Sequence, residues 1–247
     1  MPGSKLENRV ALITGASSGI GAATALALAG EGARVVLAAR RLERLEALAR
    51  RIREAGGQAL PVEVDVADEA GVQAMMQQAL AQWGRLDILA CSAGIGVAAP
   101  FQNTTPAEYR QMVDVNVLGL LYPIHAALPA MRAQGSGHIV ILSSGTGRYI
   151  HPSTVYSGTK HAASAMAESL RRELAPLAIR VTTIEPGAVR TEFTAQMRPE
   201  VREAVERRLV GVEQLEAEDI AGAVLYAVTQ PARVNVNILT VYPTGQA

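Results

Sequence analysis

The sequence predicts an α/β protein: a single doubly wound domain, with a parallel sheet of about seven strands and helices on both faces. Three observations carry this expectation. Short β-branched runs alternate with longer helical patterns at about 30-residue spacing, the mark of right-handed βαβ units. Hydrophobic residues make up 49% of the 247 residues but aromatics only 4%, so Ala, Val, Leu and Ile must fill a sheet buried on both faces. No Ser/Gly/Pro-rich linker and no composition break divides the chain, so residues 1–247 read as one domain.

Each element follows in order. Val10–Thr14 is the first strand, and a Gly-punctuated turn leads into an Ala/Leu helix ending near Gly32. Val35–Ala39 is the second strand; Arg41–Ala55 is an amphipathic helix closed by Gly56 and Gly57. Leu60–Val66 is the third strand, and Asp68 caps a helix running to about Gln82. Leu86–Ser92 is the fourth strand. Thr105-Pro106-Ala107-Glu108 is a capping box with proline at the first helical position, opening a helix towards Gln134 in which Pro123 and Pro129 predict a kink or break. Then come a strand at His138–Ser143, a helix at Val155–Leu177, a strand at Arg180–Glu185, a helix at Glu218–Thr229 and a last strand at Val236–Tyr242.

Composition excludes several functions. Twenty-three basic and 23 acidic side chains balance, which leaves no footprint for nucleic acid or an anionic membrane. Cys91 is the only cysteine, so no internal disulfide forms and a reducing cytoplasm is the expected compartment. Met1–Asn8 is polar, without a signal-peptide core, and no uninterrupted apolar run reaches the roughly 18 residues of a membrane span. No metal-ligand spacing stands out.

The first strand runs into Thr14-Gly15-Ala16-Ser17-Ser18-Gly19-Ile20-Gly21. Glycines in a strand-to-helix turn allow a tight bend, close approach of a pyrophosphate and close helix–strand packing, and the helix N-terminus offers free N–H groups to phosphates. Such a turn also serves purely structural ends; its place after the first strand favours a dinucleotide site of the Rossmann type. The second strand ends in Arg40-Arg41, where an NAD-selective site would carry an acid for the ribose 2′-OH. Guanidinium groups suit a 2′-phosphate, which predicts NADP(H), with Arg40 ranked above Arg41; the alternative is that both begin a solvated helix. Asp65 meets the adenine or caps a turn.

Tyr156 and Lys160 lie four apart on one helix face. An ammonium beside a phenol lowers its pKa from about 10 and fits it for acid–base work at neutral pH. On its own this spacing equally describes an exposed helix pair. Joined to the glycine motif, Asp65, Ala93-Gly94, Asn116, Ser143 thirteen residues before Tyr156, and Pro186-Gly187 with Thr191, it makes the chain resemble the short-chain dehydrogenase/reductases over nearly its whole length.

What the resemblance implies is a Ser143-Tyr156-Lys160-Asn116 tetrad. Tyr156 is the general acid or base. Lys160 lowers its pKa and binds the nicotinamide ribose. Ser143 steadies the substrate oxygen, and Asn116 holds a water of the proton relay. Ser144 is left without a catalytic role. The cofactor set it implies comprises Gly15, Ser17, Ser18, Gly19, Ile20, Gly21, Arg40, Arg41, Asp65, Val66, Ser92, Ala93, Gly94, Asn116, Tyr156, Lys160, Pro186, Gly187, Val189 and Thr191. Cys91-Ser92 stands where the family has Asn-Asn, which removes two amide side chains from the turn; Cys91 itself reads as inert core.

Residues 144–151, 95–101 and 188–210 should wall the substrate pocket beyond the strand ends, with 188–210 as a lid. Arg148 or Arg190 in these segments would bind a carboxylate, or lie idle at the surface; His151 has no assigned role. Ile184-Glu185-Pro186-Gly187 and the segment 231–237 resemble the NADP-dependent serine and 3-hydroxy acid dehydrogenases and clavulanic acid dehydrogenase. The expected substrate is therefore a small polar or carboxylate-bearing hydroxy compound; a broad carbonyl reductase and a non-catalytic NADP(H)-binding sensor are the alternatives. A homodimer or homotetramer is expected from the apolar faces of 106–134 and 155–177.

Overall fold

A computed structural model describes residues 4–246 apart from 98 and 150–152; His151 lies outside the described residues. Val10–Thr14 (β1), Arg34–Ala39 (β2), Gln58–Glu63 (β3), Ile88–Cys91 (β4), Gly137–Leu142 (β5), Ile179–Pro186 (β6) and Ile238–Val241 (β7) form one sheet in the order β3-β2-β1-β4-β5-β6-β7. Every neighbouring pair is parallel. The expected doubly wound architecture is the one the chain adopts.

The period of two along the strands explains why they read as continuous apolar runs. Val10 and Leu12 of β1 join a core with Val72 and Met75 of Glu69–Trp83 (α3), Ile124 and Met131 of Gly119–Gln134 (α5) and Ala163 and Leu174 of Thr154–Leu174 (α6). Ala11 and Ile13 point the other way, towards Leu28 of Gly19–Gly30 (α1), Leu45 and Ile52 of Leu42–Glu54 (α2) and Val224 of the helix Ala217–Val228. Both faces are dry, so both sets must be apolar. β3 covers 58–63 in place of the expected 60–66: it pairs only with β2, and Pro61 is tolerated on such an edge.

Pro106–Val113 (α4) opens with the predicted capping box: Glu108 N–H donates to Thr105 Oγ1 at 3.3 Å and Thr105 N–H to Glu108 Oε2 at 2.6 Å. The expected break at Pro123 or Pro129 does not occur. Both lie inside α5, and the irregularity is a π turn at Asp114–Leu118 upstream. Pro123 leaves the Gly119 carbonyl without its helical donor, at the junction where the π turn hands over to α-helix, so the lost bond falls at a junction rather than mid-helix. Pro129 and His125, whose carbonyl it would have bonded, are both exposed, where water can serve.

By length and mean hydropathy (1.3), the helical stretch Pro106–Gln134 is long and apolar enough to cross a membrane, which the search for an uninterrupted apolar run missed. Half of it is buried within the protein, where Leu120, Ile124, Ala127 and Met131 pack on the sheet.

Candidate active site

The strand order reverses between β1 and β4, and a cleft of about 1450 Å³ opens there along the carboxyl ends of the strands. Every residue expected to hold the cofactor lines this cleft except Asn116, which sits behind its wall. The glycines act as physics requires. Gly15 has φ +70°, and a Cβ there would lie 2.8 Å from Ala93 Cα; a Cβ on Gly21 would collide with the Gly15 carbonyl. Ser18, at the N-cap of α1, makes no side-chain cap bond, so the first amides of α1 face the cleft unclaimed by it. A pyrophosphate fits this cradle.

Thr14 resolves the loss of the two amides at Cys91-Ser92. Its Oγ1 accepts from both Ser92 N–H and Ala93 N–H at 3.2 Å, tying the turn to β1 without an asparagine. Cys91 is buried, and its thiol is pushed up to about 12 by burial, which bears out inert core.

The two arginines, both lining the cleft, are held differently. Arg41 donates to Ser17 Oγ at 3.0 Å and to Ser18 Oγ at 2.7 Å, which holds its guanidinium against the glycine turn. Arg40 is 61% exposed and reaches only to 3.9 Å from Asp65 Oδ2. Asp65 Oδ1 accepts from Ala67 N–H at 3.0 Å, the turn-capping alternative, while the residue still lines the cleft. Glu192 also reaches Arg41, at 3.1 Å, and Arg44, at 2.7 Å, from the segment after β6. With the Thr191 methyl over Gly19, this bridges the cleft above the phosphate cradle.

At the far end stand the acid–base groups. α6 carries Tyr156 and Lys160 on one face, with Lys160 Nζ 5.9 Å from the Tyr156 ring centroid. Lys160 is 7% exposed and donates to the Leu142 carbonyl at 3.0 Å; burial lowers its pKa to about 8. Burial pushes the Tyr156 phenol up to about 12, partly offset by the neighbouring Ser144 and Thr146 hydroxyls.

Ser143 and Ser144 both line the cleft but are engaged differently. Ser143 Oγ donates to the Lys160 carbonyl at 3.1 Å and lies 2.8 Å from Ser164 Oγ. Its one proton is spent on Lys160, so Ser164 donates to it and none is left for a substrate oxygen. The cause is strand parity: Ser143 continues the face of Ile139 and Ile141, which looks onto α6. Ser144 leaves the strand, accepts from Thr146 N–H at 3.2 Å and from Thr146 Oγ1 at 3.0 Å, and turns its hydroxyl to Tyr156. The alternation along β5 was the signal for Ser144 that counting residues back from Tyr156 missed; nothing in the sequence marked Thr146.

Asn116, in the π turn, is a bracket. Its Oδ1 accepts from Ile95 N–H at 2.9 Å, and its Nδ2 donates to the Ile95 carbonyl at 2.8 Å and Thr159 Oγ1 at 3.1 Å. Both amide protons are committed. Arg148 and Arg190 are not idle, and neither lines the cleft: Arg148 Nε lies 2.9 Å from buried Glu185, and Arg190 3.0 Å from Glu216.

Comparisons with known proteins agree with this geometry. The family model described as short chain dehydrogenase matches residues 9–202. An uncharacterized oxidoreductase of Staphylococcus aureus (strain USA300) is 41% identical over 239 residues, 96% of this chain and 98% of that protein. Glycine betaine reductase ATRR of Emericella nidulans is 37% identical over 249 residues; all of this chain is covered, but the chain spans only 19% of that protein. Among solved structures, the closed form of serine dehydrogenase complexed with NADP+ superposes with a TM-score of 0.89 at 32% identity, covering 96% of both chains.

Proposed function

The chain belongs to the short chain dehydrogenase family of oxidoreductases, and on that footing we propose that it uses NADP(H) to interconvert an alcohol and a carbonyl by hydride transfer. The observation that carries this reading is that Ser144, Thr146, Tyr156 and Lys160 line the same cleft as a glycine cradle flanked by Arg41. The absence of a carboxylate at the end of β2, together with Arg40 and Arg41, supports NADP(H) over NAD(H).

Bound cofactor supplies the hydride, taken up at the carbonyl carbon. In reduction Tyr156 gives its proton to the carbonyl oxygen, and Ser144 donates a hydrogen bond to the same oxygen as negative charge grows there. Lys160 as an ammonium stabilises the phenolate that remains until solvent returns the proton. Oxidation runs the same steps backwards. Ser144 thus takes the place first assigned to Ser143 in the tetrad. Asn116 acts as a positioning residue that fixes the wall at Ile95. Residues 188–210 serve as the lid, and the chain works as a homodimer or homotetramer.

The deciding experiment is steady-state turnover with NADPH and NADH against aldehydes, ketones, 3-hydroxy acids and serine, with Tyr156→Phe as control. Turnover that prefers NADPH and collapses in the variant is expected. Tight NADPH binding without turnover of any compound would favour a non-catalytic sensor.

A further inference from the structure

The cleft beyond Tyr156 is built differently from its cofactor end. Among the residues whose side chains are described, its charged lining consists of Arg40, Arg41, Asp65 and Glu192 at the adenosine end, and Lys160 beneath Tyr156. The rest of the lining carries no charge: its apolar part includes Ile95, Phe193, Met197 and Leu209, and its uncharged polar part Tyr149, Gln214, Tyr242 and Gln246. Phe193 packs on the catalytic tyrosine, with ring centroids 5.6 Å apart and planes tilted by 48°. Gly96 lies against both rings: a Cβ there would collide with Phe193 Cζ and sit 3.2 Å from Tyr156 Cδ2. One side of the approach to Tyr156 is therefore an aromatic face with no room for a side chain at position 96.

The nearby cations are already spent. Arg148 is held by Glu185, whose side chain is 2% exposed, Arg190 by Glu216 at 3.0 Å, and Arg198 by Glu108 at 3.0 Å. None of the three lines the cleft. Among the residues whose side chains are described, a carboxylate seated against Phe193 would lose its water and meet no cation other than Lys160, which is held beneath Tyr156 by the Leu142 carbonyl.

Resting on the dehydrogenase reading above, we propose that the substrate is an uncharged ketone or aldehyde carrying an aromatic or bulky apolar substituent, seated against Phe193 over Gly96. This replaces the carboxylate-bearing hydroxy compound expected from the sequence.

The test compares matched pairs that differ by one carboxylate: acetophenone with 4-acetylbenzoate, and ethyl 3-oxobutanoate with 3-oxobutanoate, each with NADPH at neutral pH. The neutral member of each pair should have a kcat/KM at least about 100-fold higher, from loss of desolvated, unpaired charge. Phe193→Ala should raise KM for acetophenone about 10-fold or more, while leaving NADPH affinity, read by fluorescence, unchanged. Equal or better use of the carboxylates, or a KM for acetophenone indifferent to Phe193→Ala, would overturn the proposal. Failure to turn over any of the four compounds, with NADPH bound, would instead remove the dehydrogenase reading on which it rests.

Discussion

The Ser144 hydroxyl lies close enough to the Tyr156 phenol to lower its pKa, while the adjacent Ser143 is turned into the α6 face against Ser164. On the proposed mechanism, one residue of difference separates a group that meets substrate from one that fastens a helix. Ser144→Ala should therefore lower kcat by about 10²-fold or more, with NADPH binding kept, because a donor to the developing oxyanion is lost. Ser143→Ala should leave kcat within a few-fold and cost about 1 kcal/mol of stability, the worth of a buried hydrogen bond. Steady-state kinetics and urea denaturation of both variants decide it; the reverse pattern would restore Ser143 to the tetrad.

Lys160 and Tyr156 set the pH dependence. Tyr156, near 12, stays protonated across the usual range, as the acid in reduction must. Lys160 must be charged to hold the phenolate, and it loses its proton near 8. The kcat/KM for reduction should be flat at low pH and fall as pH rises through about 8. Lys160→Arg keeps a charge at every accessible pH, so in its residual activity that limb should vanish. A limb that stays in place would assign the titration to another group.

Arg41 is shared between the glycine turn and Glu192. A 2′-phosphate would compete with the Glu192 carboxylate for the same guanidinium. Arg41→Ala should weaken NADPH binding by about 10²-fold and NADH binding little, as expected for one lost charge-assisted phosphate contact. Glu192→Gln should tighten NADPH binding a few-fold. Titrations of both cofactors by fluorescence check this, and equal loss for NADH would mean that Arg41 serves the fold rather than the 2′-phosphate.

His138 gives the fold an acid-sensitive point. The Thr182 hydroxyl donates to the Val236 carbonyl at 2.7 Å, so His138 Nε2 must be the donor in its 2.7 Å bond to Thr182 Oγ1, and Nδ1 is left without a partner among the described residues. Burial, followed by repulsion from Arg180, lowers its pKa from 6.5 to about 3. Between those values the unfolded chain binds a proton that the folded chain refuses, so stability falls as pH falls, by up to about 1.4 kcal/mol per unit. Urea unfolding between pH 7 and 5, above the range in which Asp87 takes up its proton, should show this slope, and His138→Gln should flatten it. An unchanged slope would move the effect elsewhere.

Much of this protein was legible without coordinates. Strand–helix alternation and the apolar runs pointed to the parallel sheet because a strand buried on both faces has no polar choice. The glycine turn, the capping box at Thr105 and the Tyr156/Lys160 spacing could be read because each is a local rule, set by backbone sterics or helical period. Strand ends were less legible, since they depend on which neighbour offers the next ladder bond, as at the β3 edge. Pro123 misled because the helix junction that receives its lost bond comes from packing, not from the proline.

The sequence by itself determined the architecture, the glycine turn and the placing of Tyr156 and Lys160 on one helix face, since these arise from neighbours a few residues apart. Tertiary structure alone decided which serine meets Tyr156, which arginine is held at the glycine turn and whether Arg148 is free. Each of those depends on a partner distant along the chain: Ser164 for Ser143, Ser17 for Arg41, Glu185 for Arg148. A side chain's chemistry is written in its type, but what it can still bind depends on what the fold has already given it.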